Sequence, residues 1–101
     1  MRLPAYSVSK PAQADLVAIV RFTVERWGAR QAVRYTQELE KGFQALAENP
    51  HIGRSADSVS PGLRRHELQK HVIFYRMKPR GIRIVRVLHQ QMIPAKRHFE
   101  P

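Results

Sequence analysis

The sequence predicts an α+β fold: an N-terminal strand and an antiparallel two-helix hairpin packed on a small antiparallel β-sheet, in a single domain of residues 1–101. Three observations carry that expectation. Apolar residues recur at spacings of three and four from about residue 11 to residue 48, broken only at Trp27-Gly28. Three runs rich in branched and aromatic side chains follow residue 62. The connectors are short and hold Gly, Pro and Ser, and a chain of 101 residues fills one small core rather than two.

Taken in order, AYSVS alternates, with Tyr6 and Val8 on one side, and reads as a strand. Lys10-Pro11 ends it, and Pro suits the first turn of the helix expected from about Pro11 to Trp27. On that helix Leu16, Ile19, Val20, Thr23 and Trp27 form one stripe. Val17 and Val24 widen the apolar face on one side and Phe22 on the other, so these residues either pad the core or wait exposed for a partner. Gly28 stops the helix. A second one, about Ala29 to Glu48, puts Ala32, Tyr35, Leu39, Phe43 and Leu46 on one stripe and ends at ENPHIG. Two helices joined at one Trp-Gly fold back as a hairpin. After the connector SADSVSPG come LRRHEL, HVIFYRM and IRIVRVL, the last two separated by KPRG, a hairpin turn. Strict alternation in the last run places Ile82, Ile84, Arg86 and Leu88 on one face and Arg83, Val85, Val87 and His89 on the other. Both faces are apolar with a cation inserted. A central strand covered on both sides is expected, the helices forming one cover and the other having no obvious source.

The chain carries 18 Lys and Arg against 8 Asp and Glu, a formal charge of +10. A domain this basic meets a polyanion, an anionic surface or an acidic protein. The charge is uneven: residues 1–50 hold seven basic and five acidic side chains, net +2, while residues 51–101 hold eleven and three, net +8, together with all five histidines. With no cysteine, disulfides and thiolate zinc sites are excluded. The first ten residues, MRLPAYSVSK, have no apolar run of the signal-peptide kind, and eighteen consecutive apolar residues occur nowhere, so a cytoplasmic protein without membrane attachment is expected.

His51, His66, His71, His89 and His98 show no close ligand spacing, so no metal is expected; GxxxxGK[ST] and GxGxxG are absent, so no nucleotide cofactor is expected; and no serine sits in a nucleophile elbow. Metal-free RNA cleavage is the enzymatic option. It needs a base for the 2′-hydroxyl, an acid for the leaving oxygen and cations for the phosphorane, and His89 and His98 supported by Arg83 and Arg86 are the right types. Against this, Arg86 pairing with Glu67 or Asp57, His89 capping the strand end, and a solvated Lys96 and Arg97 would account for the same residues.

Several motifs coincide in order: DLVAIVRFTVERWGARQAVRY, NPHIGR, PGLRRHEL, HVIFYR and RVLHQQMIPAKRH. Together, over about Tyr6 to His98, they resemble the ParE branch of the RelE/ParE toxin superfamily. The resemblance implies the same α+β fold and the toxin half of a type II toxin–antitoxin pair serving plasmid or chromosome maintenance, held in a hetero-oligomer by an acidic, amphipathic ParD-like antitoxin. It also implies DNA gyrase as the target, where RelE relatives instead cut mRNA on the ribosome. Such an antitoxin would cover Leu16, Val17, Val20, Phe22 and Val24 and meet Arg64 and Arg76. Arg83, Arg86, His89, Met92, Lys96, Arg97 and His98 form the expected target-binding set. The final motif departs from the family's LHxxMDxxxH at Ile93, which stands where many members carry Asp; His89 and Met92 match, and His98 stands one position beyond the motif's last His.

Overall fold

The computed structural model describes residues 5–99; residues 1–4 and 100–101, which the expected domain of 1–101 includes, lie outside the described residues. The elements are β1 (Ala5–Val8), α1 (Lys10–Trp27), α2 (Ala29–Glu48), β2 (Arg54–Ser55), β3 (Leu63–Leu68), β4 (His71–Lys78), β5 (Gly81–His89) and a final 3₁₀ turn, Lys96–Phe99. One five-stranded sheet runs in the order β1-β5-β4-β3-β2. It is antiparallel except that β1 lies parallel to β5. The two helices pack on one face, as the sequence pattern requires.

Ser9 fixes the passage from β1 to α1. Its hydroxyl accepts the Ala12 N–H (3.1 Å) and donates to the Val85 carbonyl (2.8 Å), so one side chain caps the helix and ties it to β5. Gly81 makes the β1–β5 pairing possible: at φ 146° it lies opposite Ala5, and an added Cβ would come within 1.8 Å of the Ala5 carbonyl oxygen. Gly28, at φ 89°, turns the chain from α1 into α2.

Every residue of the α2 stripe is buried, and Tyr35, Leu39, Phe43 and Leu46 form the core between helices and sheet with Ile19, Ile73, Tyr75, Ile82, Ile84 and Val87. The α1 stripe needs correction. Ile19 and Thr23 are buried and Leu16 partly so, but Val20 and Trp27 are exposed. Val17, Phe22 and Val24 are exposed too, so they do not pad the core.

The missing cover of the sheet's second face comes from the connector and the C-terminus. Ala56 and Val59, with Phe99 of the 3₁₀ turn, pack on Leu63, Val72, Phe74, Val85 and Leu88. The Phe99 ring sits 4.9 Å from that of Phe74. Strict alternation in β5 also needs correction, because Tyr75 pairs with Ile84 and Phe74 with Arg86, leaving Val85 as the extra residue of a bulge. Past it the pattern reverses: Val87 joins Ile82 and Ile84 under the helices, and Leu88 turns to the second core.

The NPHIGR loop is pinned from beneath by Tyr75. Its hydroxyl accepts the Gly53 N–H (3.1 Å) and donates to the Pro50 carbonyl (2.6 Å), while Arg64 donates to the Gly53 carbonyl. A Cβ at Gly53 would fall 2.3 Å from that hydroxyl, which explains the glycine.

Candidate functional site

The second half of α1, the β3–β4 turn and the end of β5 enclose a groove of about 680 Å³. Ile19, Phe22 and Trp27 from α1, Val87 and Leu88 from β5, and Met92 beyond it supply the apolar walls. Phe22, Trp27 and Met92 are 57%, 63% and 46% exposed. A large apolar side chain left in water forgoes about 1.5–3 kcal/mol of burial; three of them around one groove mark a surface built to be covered. Two are steadied by cations, Arg26 lying 5.5 Å from the Phe22 ring centre and Lys70 5.7 Å from that of Trp27.

Beneath the rim the groove is polar. Asp15 of α1 takes Arg86 in a two-pronged pair, Nε to Oδ2 at 2.8 Å and Nη2 to Oδ1 at 2.7 Å. Oδ2 also accepts the Val87 N–H (2.9 Å). β1 pairs with β5 only as far as Ile84, so beyond that point Asp15 supplies the acceptor that a neighbouring strand would otherwise give. The bond to Asp15 holds the Arg86 guanidinium above its usual range, against the opposing effect of burial. Arg86 further donates to the His98 carbonyl (3.3 Å), linking α1 to the 3₁₀ turn.

His71 and His89 are cross-strand partners with ring centres 5.5 Å apart, edge to face. The Tyr35 hydroxyl lies 2.6 Å from His71 Nδ1. Burial, then the neighbouring His89 and more weakly Lys70, push His71 down to about 4, with Asp15 opposing. Burial raises the Tyr35 phenol. At neutral pH the groove therefore holds an uncharged His71 imidazole and a protonated phenol, both suited to hydrogen bonding. No group of three His, Cys, Asp or Glu among the described residues could hold a metal ion.

The residues expected to act together are distributed over several surfaces. Of the expected antitoxin-facing set, Phe22 lines the groove, Val17, Val20 and Val24 are exposed on α1, and Leu16 leans on the helix-side core. Arg64 and Arg76 brace loops: Arg76 donates to the Pro61 carbonyl (2.7 Å) and Ser60 Oγ (2.8 Å). Of the expected target-facing set, Arg86, His89 and Met92 line the groove. Arg83 lies across the sheet from the helices and donates to Ser7 Oγ (3.2 Å), and Lys96 and Arg97 are exposed on the 3₁₀ turn. His89 and His98 each use Nδ1 to accept a backbone N–H, from Gln91 (3.1 Å) and Ala95 (3.0 Å). The carboxylate paired with Arg86 is Asp15 rather than Glu67, which binds Arg54 and Arg65, or Asp57, which accepts the Gly62 N–H. Asp15, Tyr35, Lys70 and His71 are groove residues that the spacing of the sequence did not single out.

A family model described as the ParE toxin of the type II toxin–antitoxin system parDE matches residues 6–94. The chain belongs to the ParE toxin family. Toxin ParE1 of Mycobacterium tuberculosis (strain H37Rv) is 44% identical over 88 residues, covering 86% of this chain and 90% of its own. Toxin ParE1 of Caulobacter vibrioides is 40% identical over 87 residues, with the same shares. A solved chain from the chromosomal ParDE system of P. aeruginosa superposes with a TM-score of 0.74 at 25% identity, over 86% of this chain and 96% of that one. The α+β arrangement expected from the sequence is thus a ParE fold, and the protein is the toxin component of a ParDE toxin–antitoxin system. No helix among the described residues is long and apolar enough to cross a membrane.

Proposed function

We propose that this toxin arrests growth in the cytoplasm by binding DNA gyrase, without catalysis of its own. In this reading a cognate acidic ParD-like antitoxin silences it in a hetero-oligomer, by laying the apolar face of a helix into the groove between α1 and the end of β5. The observation that carries the antitoxin half is the groove itself, where Phe22, Trp27 and Met92 stand exposed above a polar floor. Helix-in-groove recognition needs such anchors, and the +10 charge favours an acidic partner. The gyrase half is supported by membership of the ParE family and by the placement of the two arginines a nuclease would need. Arg83 stands on the far side of the sheet from the groove, and Arg86 is engaged by Asp15.

The test is growth arrest on expression, paired with gyrase supercoiling in vitro and primer extension on cellular mRNA. Supercoiling should be inhibited, and Phe22→Asp should escape the antitoxin while leaving that inhibition intact. His89→Ala and His98→Ala should each weaken toxicity only in part. General acid–base catalysis is worth about 10² to 10⁴ in rate, so a nuclease would be silenced by one such change. Discrete mRNA cuts lost in His89→Ala, with supercoiling untouched, would overturn the gyrase reading.

A further inference from the structure

Between Glu67 and Glu100 the sequence contains no Asp or Glu, yet it holds Lys70, Arg76, Lys78, Arg80, Arg83, Arg86, Lys96 and Arg97. The fold gathers most of these cations on one side. Tyr75, Ile82 and Ile84 point into the helix-side core, so their neighbours Arg76 and Arg83 point to the opposite face, where they are direct cross-strand partners. Lys78, two residues beyond Arg76, shares that face, and Arg80 occupies the turn. The 3₁₀ turn brings Lys96 and Arg97 to the same side, because Phe99 packs on Phe74 in the second core.

Like charges placed directly opposite destabilise a ladder, and no ion pair among the described residues neutralises these. The ion pairs among the described residues are Arg54–Glu67, Arg65–Glu67 and Arg86–Asp15. Arg76 and Arg83 meet only neutral acceptors, the Pro61 carbonyl with Ser60 and the Ser7 hydroxyl respectively. Lys78, Arg80, Arg83, Lys96 and Arg97 are all exposed.

We infer that this side of the sheet binds the phosphate backbone of duplex DNA, through Lys78, Arg80, Arg83, Lys96 and Arg97. A cluster of exposed cations with no exposed aromatic among them has the composition of a backbone contact, whereas a protein partner takes hold chiefly through buried anchors, above all aromatic ones. Single-stranded nucleic acid needs aromatic platforms for its bases. The exposed aromatics among the described residues are Phe22 and Trp27, both on α1 and away from this surface. The inference stands apart from the gyrase reading, since DNA binding and supercoiling inhibition are separate measurements.

The experiment is fluorescence anisotropy of the full chain with a labelled duplex of about 30 base pairs and arbitrary sequence, titrated at several salt concentrations. Binding with a Kd of about 10⁻⁴ to 10⁻⁶ M, the affinity falling with salt at a log–log slope of about −4.5, is expected from five phosphate contacts. The triple variant K78Q/R80Q/R83Q should bind at least about tenfold more weakly at 50 mM salt and flatten the slope by about 2 to 3, with its melting curve unchanged. The triple R21Q/R30Q/R34Q removes the same charge from exposed positions on the helices, and it should stay within about twofold of the parent. Equal losses in both triples would reduce the effect to net charge and overturn the assignment. So would tighter binding to single-stranded or duplex RNA than to duplex DNA, or capture of an acidic peptide by these same residues with no DNA binding.

Discussion

Arg83 and Arg86 sit three residues apart on one strand and do different work. Arg86 is only 21% exposed and its partner Asp15 only 13%, and removing one member of such a pair leaves the other charge stranded. Arg86→Ala should therefore cost about 3 kcal/mol in urea unfolding, while Arg83→Ala, at an exposed position, should stay within about 0.5 kcal/mol. Equal small losses would mean that the Asp15 pair contributes nothing to the fold. His71 gives the second expectation at this scale. Its pKa is pushed from 6.5 down to about 4 in the folded protein, so between those values the unfolded chain binds the extra proton. The stability is fully present above pH 6.5 and is lost as the pH falls toward 4. Unfolding measured at several pH values across that window should show this slope, and His71→Gln should remove its share.

At the scale of elements, β5 shows what periodicity reveals and what it conceals. Counting back from the Pro79-Arg80 turn pairs Lys78 with Gly81 and would set His71 opposite Leu88; the extra residue Val85 moves His71 onto His89 and so assembles the histidine pair. No local pattern in IRIVRVL announces that insertion, because Val and Leu suit either face. α2 was legible in its stripe, since Ala32, Tyr35, Leu39, Phe43 and Leu46 are all buried and most charged residues fall elsewhere, although Ala47 is buried beyond the stripe and Val33 is exposed. α1 was not: it is apolar over most of its circumference, and only contact with α2 and the sheet decides that Ile19 is covered while Trp27 is left at the groove rim. The groove's far wall, from the β3–β4 turn, depends on long-range register that a linear reading lacks. The C-terminal segment, expected to supply Lys96, Arg97 and His98 for target binding, also closes the second core. Phe99→Ala should cost about 3 kcal/mol, and deletion from Pro94 onward should destabilise the whole toxin, antitoxin binding included. Lys96→Ala with Arg97→Ala should leave the melting temperature unchanged; a drop comparable to that of Phe99→Ala would show that the charges, not the ring, hold the segment.

For the molecule as a whole, the apolar groove opens beside α1 while Arg76, Lys78, Arg83, Lys96 and Arg97 lie behind the sheet. Long-range charge speeds the encounter with an acidic partner, and buried apolar contacts hold the complex once formed. Stopped-flow association with the antitoxin should slow markedly as salt rises while dissociation changes little; a dissociation rate climbing in step with salt would contradict this division. The topology carries a consequence for synthesis. β1 pairs only with β5, Ala5 lying against Gly81 and Val8 against Ile84, so the first strand made must wait for the last. Until β5 emerges from the ribosome, α1 lacks its seat and the groove has one wall. Closing so long a loop delays folding. A prematurely terminated chain ending before β5 therefore yields no partial toxin: it keeps only the β2–β3–β4 part of the sheet, without the strand that pairs β1 and carries Arg86 and His89 to the groove, and the harmful surface exists only in a finished molecule.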